Sequence, residues 1–118
     1  MKEVLFLQYP KCSTCQKAKR WLDEHNVRYK ARHIAEENPK AEELGEWYRK
    51  SGLPLKRFFN TSGKNLKNRL SEMPEKEQLE LLSENGMLVK RPLLVGEQVI
   101  LTGFREKEWE EHLLKSGL

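Results

Sequence analysis

The sequence predicts an α/β fold in which a βαβ unit, a block of helices and a ββα unit follow one another along the chain. Three observations carry this reading. A short apolar block near the start gives way, after a proline, to apolar residues recurring at three and four positions, and then to alternation. Two further β-like runs near the end are separated only by Gly96-Glu97-Gln98, a hairpin-length turn. Between these stretches, helical spacing is broken at intervals by Gly, Pro and Asn.

Met1 to Tyr9 reads as a strand. Val4-Leu5-Phe6-Leu7 is a continuous apolar block ended by Pro10, which suits a central strand covered on both faces. Cys15, Ala18, Trp21, Leu22 and His25 then mark one face of a helix from Ser13 to about His25, with Asn26 as its stop. Val27, Tyr29, Ala31 and Ile34 alternate with Arg28, Lys30 and Arg32 as a second strand. A helical crossover of that length implies a right-handed parallel unit.

Asn38-Pro39 reads as cap and first turn of the next helix, whose apolar face is Leu44, Trp47 and Tyr48. Ser51-Gly52-Leu53-Pro54 breaks it, and Asn60-Thr61-Ser62-Gly63 forms a second loop. A short helix is expected over Lys64 to Leu70. Another opens at Met73-Pro74 and runs to about Glu84 on Leu79, Leu81 and Leu82, with Asn85-Gly86 as its cap. The runs Leu93-Leu94-Val95 and Val99-Ile100-Leu101 follow. A final helix from Glu106 to about Leu114 turns Trp109, His112 and Leu113 inward.

At 118 residues the chain fits one domain, able to bury roughly two-thirds of its unfolded surface without disulfide staples. Hydrophobic residues make up 37% and charged residues 34%, with mean hydropathy −0.81, a polar surface over a modest core. The longest apolar run is far short of the roughly 20 residues that cross a bilayer, and no secretory cleavage pattern follows it. A soluble, cytoplasmic protein without membrane contact is expected. The 22 Lys and Arg against 18 Asp and Glu give a net charge of +4, but the signs are mixed along most of the chain, so direct nucleic-acid binding is not expected. The local exception is Lys11, Lys17, Lys19 and Arg20, beside the two cysteines.

Cys12-Ser13-Thr14-Cys15 is the strong chemical signal. Residues three apart at a helix start lie on one face, within the separation a disulfide tolerates. At the helix N-terminus, free N–H groups and the macrodipole favour a thiolate at Cys12, and Lys11 adds positive charge. Cys12 is thus the expected nucleophile, and Cys15, one turn on and more buried, the resolving thiol. A structural disulfide suits a reducing cytosol poorly. Zinc would need two more ligands, and His25 and His33 have the wrong spacing. Two inert buried cysteines remain the plain alternative, and no metal or cofactor is called for. His25, His33 and His112 read as surface or packing residues, and Trp21, Trp47 and Trp109 as core. Lys64-Asn65-Leu66-Lys67-Asn68-Arg69 reads as a solvated helix face. Arg91-Pro92 before a strand is either structural or, if the bond is cis, a turn that presents Arg91 beside the thiols as a fixed positive charge.

With strand, C-x-x-C helix, helical block and Arg-Pro hairpin in this order, the chain resembles the arsenate reductase/Spx/YffB (ArsC-like) family of thioredoxin-like proteins, nearer the two-cysteine Spx-like branch. The carrying segments are Tyr9 through Leu22, Phe59-Asn60-Thr61-Ser62-Gly63, and Lys90-Arg91-Pro92-Leu93-Leu94-Val95 through Gly103. The resemblance implies a thioredoxin-like sheet with core at about 1–35 and 87–115, a helical insertion at about 38–86, and a cis bond before Pro92 facing the thiols. It implies a thiol–disulfide oxidoreductase served by a thioredoxin- or glutaredoxin-type reductant or, alternatively, a redox-sensing regulator that binds RNA polymerase without turnover. The sequence ends at Leu118 without the longer tail of those regulators, which weighs against the second reading. Cys12 matches the family nucleophile, and Arg91 one of three arginines that hold arsenate in its reductases. The other two positions fall near Asn60 and Gly103, which carry no charge, with Arg57 and Arg105 close by in sequence. Losing such charge-assisted contacts should weaken arsenate binding by orders of magnitude. The candidate substrate- or anion-binding residues are accordingly Lys11, Ser13, Thr14, Asn60, Arg91 and Pro92.

Overall fold

A computed structural model of the chain describes residues 3–60 and 69–114. In order, the elements are strand β1 (Val4–Gln8), helix α1 (Ser13–Glu24), β2 (Tyr29–His33), α2 (Ala41–Ser51), a 3-10 turn at Leu55–Phe58, α3 (Glu75–Glu84), a 3-10 turn at Gly86–Leu88, β3 (Leu93–Val95), β4 (Ile100–Thr102) and α4 (Glu106–Leu113). The helix expected over 64–70, apart from its last two residues, Arg69 and Leu70, which are helical, and most of the loop before it lie outside the described residues.

The four strands form one sheet in the order β2-β1-β3-β4. β1 runs parallel to β2, and β3 is antiparallel to both β1 and β4. Successive side chains of a strand point to opposite faces, and both faces of this sheet are covered. Val4 and Phe6 of β1, Leu94 of β3 and Leu101 of β4 pack with Ala18, Trp21 and Leu22 of α1 and Trp109 and Leu113 of α4. Leu7, Leu93 and Ile100 pack instead against the helical block, on Leu44, Trp47, Phe58 and Leu82. Phe6, Leu7, Leu93, Leu94 and Trp109 are fully buried, each contributing about 1.5–3 kcal/mol of hydrophobic stabilisation. The continuous apolar block of β1 is therefore a central strand between two layers, a thioredoxin-like arrangement. The chain up to His33 and from Leu93 onward builds the sheet, and the helical block lies between.

Some local expectations change. β2 does not present an alternating apolar face: Ala31 is exposed, because β2 is an edge strand paired only with β1. α2 starts at Ala41 behind Lys40 rather than at Asn38-Pro39. The Asn38 side chain instead donates to the Leu82 and Ser83 carbonyls at the end of α3, at 3.1 and 3.0 Å. Asn85 is extended after α3, so Gly86 is not a left-handed cap. It is needed for close approach, since a Cβ there would overlap the Ile34 carbonyl oxygen. Asn26, by contrast, ends α1 with φ of 55°, as its type predicts. His112 is exposed rather than turned inward.

Candidate active site

The two thiols owe their different surroundings to the turn between β1 and α1. The Cys12 N–H donates to the Tyr9 carbonyl at 2.9 Å, and the Gln16 amide donates to the Pro10 carbonyl at 2.9 Å, closing the turn from both sides. Cys12 then sits at the N-cap in extended conformation, its own carbonyl accepting from the Gln16 N–H at 3.0 Å. No acidic residue occupies the first turn of α1, so nothing there opposes negative charge. One turn later, Cys15 faces the interior and is fully buried, while Cys12 is partly exposed.

Partial burial alone would push the Cys12 thiol up. The Cys15 N–H and thiol, the Thr14 N–H and the Arg91 guanidinium act on its sulfur in the opposite sense and prevail, holding it below the ordinary thiol value. Burial pushes the Cys15 thiol up to about 12, reinforced by the bond to Cys12 and its charge, against the Tyr9 N–H and the Arg91 charge. Of the two, Cys12 is the sulfur that gives up its proton more readily and Cys15 the one that holds it.

Arg91 reaches this sulfur from the segment just before β3, the strand next to β1. The Arg91–Pro92 peptide is cis. The guanidinium lies 5.3 Å from the centroid of the Tyr9 ring and donates to the Met87 carbonyl at 3.3 Å, with the Met87 sulfur at 3.7 Å. These contacts aim a fixed charge at Cys12 without neutralising it.

Further cations gather around Arg91 because separate segments are tied together. Phe59 and Val89 form an antiparallel bridge, flanked by Lys90 N–H to Phe58 carbonyl at 2.8 Å and Asn60 N–H to Leu88 carbonyl at 2.7 Å. This ribbon brings the turn bearing Lys56 and Arg57 beside Lys90 and Arg91. On the other side the Gly103 N–H donates to the Pro92 carbonyl at 2.8 Å, which sets the path of Thr102 to Arg105. Gly103 has φ of +77°, and a Cβ there would crowd the Lys90 side chain at 3.2 Å, so the position suits glycine on both counts. The result is a cleft of about 300 Å³ whose lining includes Thr14, Lys56, Arg57, Lys90, Arg91 and Arg105, and no acidic residue.

With this geometry in view, the ArsC family model matches residues 7–112. The chain belongs to the ArsC family. It is 53% identical over 114 residues to YusI of Bacillus subtilis, an uncharacterised protein, covering 92% of this chain and 97% of that one. It is 34% identical to the global transcriptional regulator Spx of Enterococcus faecalis, covering 84% of this chain and 77% of the regulator. Among solved structures, a Bacteroides fragilis protein related to the ArsC family superposes with a TM-score of 0.88 at 54% identity, covering 93% and 97% of the two chains. A possible arsenate reductase from Streptococcus mutans superposes with a TM-score of 0.81 at 42% identity, covering 91% and 97%. The paired Cys12 and Cys15 fit the two-cysteine branch of this ArsC fold.

The site residues expected from sequence are not all brought together. Thr14 and Arg91 line the cleft, and Ser13 is exposed at the first position of α1. Pro92 is buried behind Arg91. Lys11 is exposed in the preceding turn, and the donors acting on Cys12 come from Thr14, Cys15 and Arg91 instead. Asn60 is joined by its main chain to Leu88 and does not line the cleft. Arg57 and Arg105, close only in sequence to the two uncharged positions, both line the cleft, so the ArsC chain presents three guanidinium groups there after all. Lys56 and Lys90 are additions. The doubled bases Lys56-Arg57 and Lys90-Arg91 were visible in sequence, but the ribbon that sets them side by side was not.

His25 stacks on Trp21 at 4.2 Å, with Nδ1 2.8 Å from the Trp21 carbonyl. His33 Nδ1 accepts from the Ala35 and Glu36 N–H groups at 3.1 and 3.0 Å. Both are satisfied packing residues. Among the described residues, no group of three His, Cys, Asp or Glu side chains could hold a metal ion, and no helix is long and apolar enough to cross a membrane.

Proposed function

We propose that the chain is a cytoplasmic thiol–disulfide oxidoreductase in which Cys12 attacks and Cys15 resolves. The observation that carries this reading is the unlike placing of two thiols one helical turn apart: Cys12 partly exposed at the N-cap of α1 among donors that lower it, and Cys15 fully buried, which raises it. The Cys12 thiolate attacks one sulfur of a disulfide. A Cys12–substrate disulfide forms, the substrate bond breaks, and the departing thiolate takes a proton. Cys12 then carries no charge, which removes two of the influences that hold the Cys15 proton. Cys15 gives up that proton and attacks Cys12, releasing the second substrate thiol and closing the internal disulfide. The substrate gains two electrons, and a dithiol reductant of the thioredoxin or glutaredoxin type returns them to the pair.

Changing Cys12 to Ser should lower disulfide-reductase turnover by about a thousandfold or more, since it removes the nucleophile itself. Changing Cys15 to Ser should instead let mixed disulfides on Cys12 accumulate, visible by mass spectrometry. Full turnover in the Cys12→Ser protein would overturn the assignment.

The likeness to Spx favours a second reading, a redox-sensing regulator that binds RNA polymerase and turns nothing over. It predicts a polymerase subunit retained on the reduced or the oxidised protein but not both. Catalytic turnover with a dithiol reductant, and no polymerase retained in either state, would decide for the enzyme.

A further inference from the structure

We propose that the cationic cleft beside Cys12 receives an acidic stretch of polypeptide that flanks the cysteine being exchanged, an inference that rests on the oxidoreductase reading of Cys12. The first ground is charge. Three basic side chains elsewhere find partners: Arg32 pairs with Glu43 at 2.8 Å, Lys19 with Asp23 at 3.1 Å, and Lys50 donates to the Gly96 carbonyl at 2.6 Å. Lys56, Arg57, Lys90 and Arg105 converge on one cleft with Arg91 and meet no acidic side chain among the described residues. Like charges held together repel, and the arrangement is relieved by a bound anion.

The second ground is size. A water takes about 30 Å³ of liquid volume, so a cleft of about 300 Å³ has room for about ten such groups, well beyond one tetrahedral oxyanion. The cations come from three separate segments around Thr14, a spread that matches several carboxylates along a chain rather than one compact ion. The third ground is apolar. Met87, in contact with Arg91, is one of two large hydrophobic side chains left exposed among the described residues, and Met is an adaptable surface for peptide side chains. A nucleic acid would satisfy the cations but brings no sulfur to Cys12. An acidic peptide brings both.

The exchange with such a substrate is the one already written: its disulfide gains two electrons, and Cys12 and Cys15 lose two. The probes are peptides of one length, each with a single cysteine activated as a 2-thiopyridyl disulfide and flanked by Glu, Gln or Lys. The Glu peptide should react with Cys12 at least about tenfold faster than the Gln peptide at low salt, and the Lys peptide slowest, with the differences shrinking as salt is added. The double change Arg57→Gln and Arg105→Gln should bring the Glu-to-Gln ratio towards one, and Arg57→Lys with Arg105→Lys should keep it. Equal rates for the three peptides on the unaltered protein would overturn the cleft assignment and leave the thiol chemistry standing. If Cys12 reacts with none of them, the oxidoreductase reading itself fails. Fluorescence anisotropy of a labelled Glu peptide with Ser in place of Cys then decides the cleft: saturable binding lost in the Gln double variant supports it, and no binding overturns it. Inorganic arsenate, or a single-stranded DNA, that binds where the Glu peptide does not would also overturn it.

Discussion

Arginine stands at two places in this molecule in opposite circumstances. At the joint between β2 and α2, Arg32 meets both carboxylate oxygens of Glu43 at 2.8 and 2.9 Å and the Glu37 carbonyl at 2.8 Å. Glu43 also accepts from the Lys40 N–H at 3.0 Å, at the start of α2. Nearby, Asn38 is tied to the end of α3 and Gly86 lies against Ile34. In the cleft beside Cys12, Arg57, Arg91 and Arg105 lie together with two lysines and no carboxylate. At the joint the charge is matched inside the fold, and in the cleft no carboxylate among the described residues matches it. Substitutions at the joint should therefore change stability and spare thiol exchange, and substitutions at the cleft should do the reverse.

The largest effect expected at the joint is from Gly86→Val, which drives a side chain into the Ile34 main chain and should cost about 3 kcal/mol. A lower denaturant midpoint, with unchanged Cys12 alkylation in the folded protein, is the expected outcome. Unaltered stability would break the account of the joint.

Next is Glu43. Hydrogen bonding from Arg32, together with the Lys40 N–H, holds its carboxyl at about 2 rather than the usual 4.5, against a smaller opposing effect of burial. A depressed carboxyl contributes stability above its unfolded value and loses it as pH falls through the folded one, so the contribution fades between about 4.5 and about 2. The side chain of Glu43 is 37% exposed. Allowing for solvent screening at that exposure, Glu43→Gln should cost about 1 kcal/mol at neutral pH and flatten the acid limb of the stability curve. Equilibrium unfolding at neutral pH and at pH 3 measures both.

The smallest effect on stability, and the sharpest on chemistry, belongs to Arg91→Met. Its stability should be within about 0.5 kcal/mol of the unaltered protein, because the side chain is half-buried and pairs with no carboxylate among the described residues. The alkylation midpoint of Cys12 should move up, since one of the groups that lowers it is gone. An unmoved midpoint would show that the donors at the start of α1 suffice alone.

Much of this was legible along the chain. The break at Pro10, the periodicity of α1 and the C-x-x-C at its start foretell both the βαβ opening and the difference between the two thiols. The hairpin at Gly96 and the apolar faces of α2 and α3 were equally plain. Features that depend on segments meeting across the fold were less so. Ala31 alternates like a buried residue and is exposed, β2 being the edge strand of the sheet among the described residues. Gly86 resembles a helix cap in sequence, yet it is glycine because Ile34 lies against it. The cleft joins bases from three separate stretches, and Lys11, the base nearest Cys12 in sequence, supplies none of the donors acting on its sulfur.

The most direct measurement is the rate of iodoacetamide alkylation against pH, with the modified cysteine located by mass spectrometry. Reaction is expected at Cys12 alone in the folded protein, with a midpoint below that of an ordinary thiol. Cys15 should stay unmodified up to alkaline pH, and both should react once the chain is unfolded. Alkylation of both cysteines at similar rates, with a common midpoint at the ordinary thiol value, would contradict it.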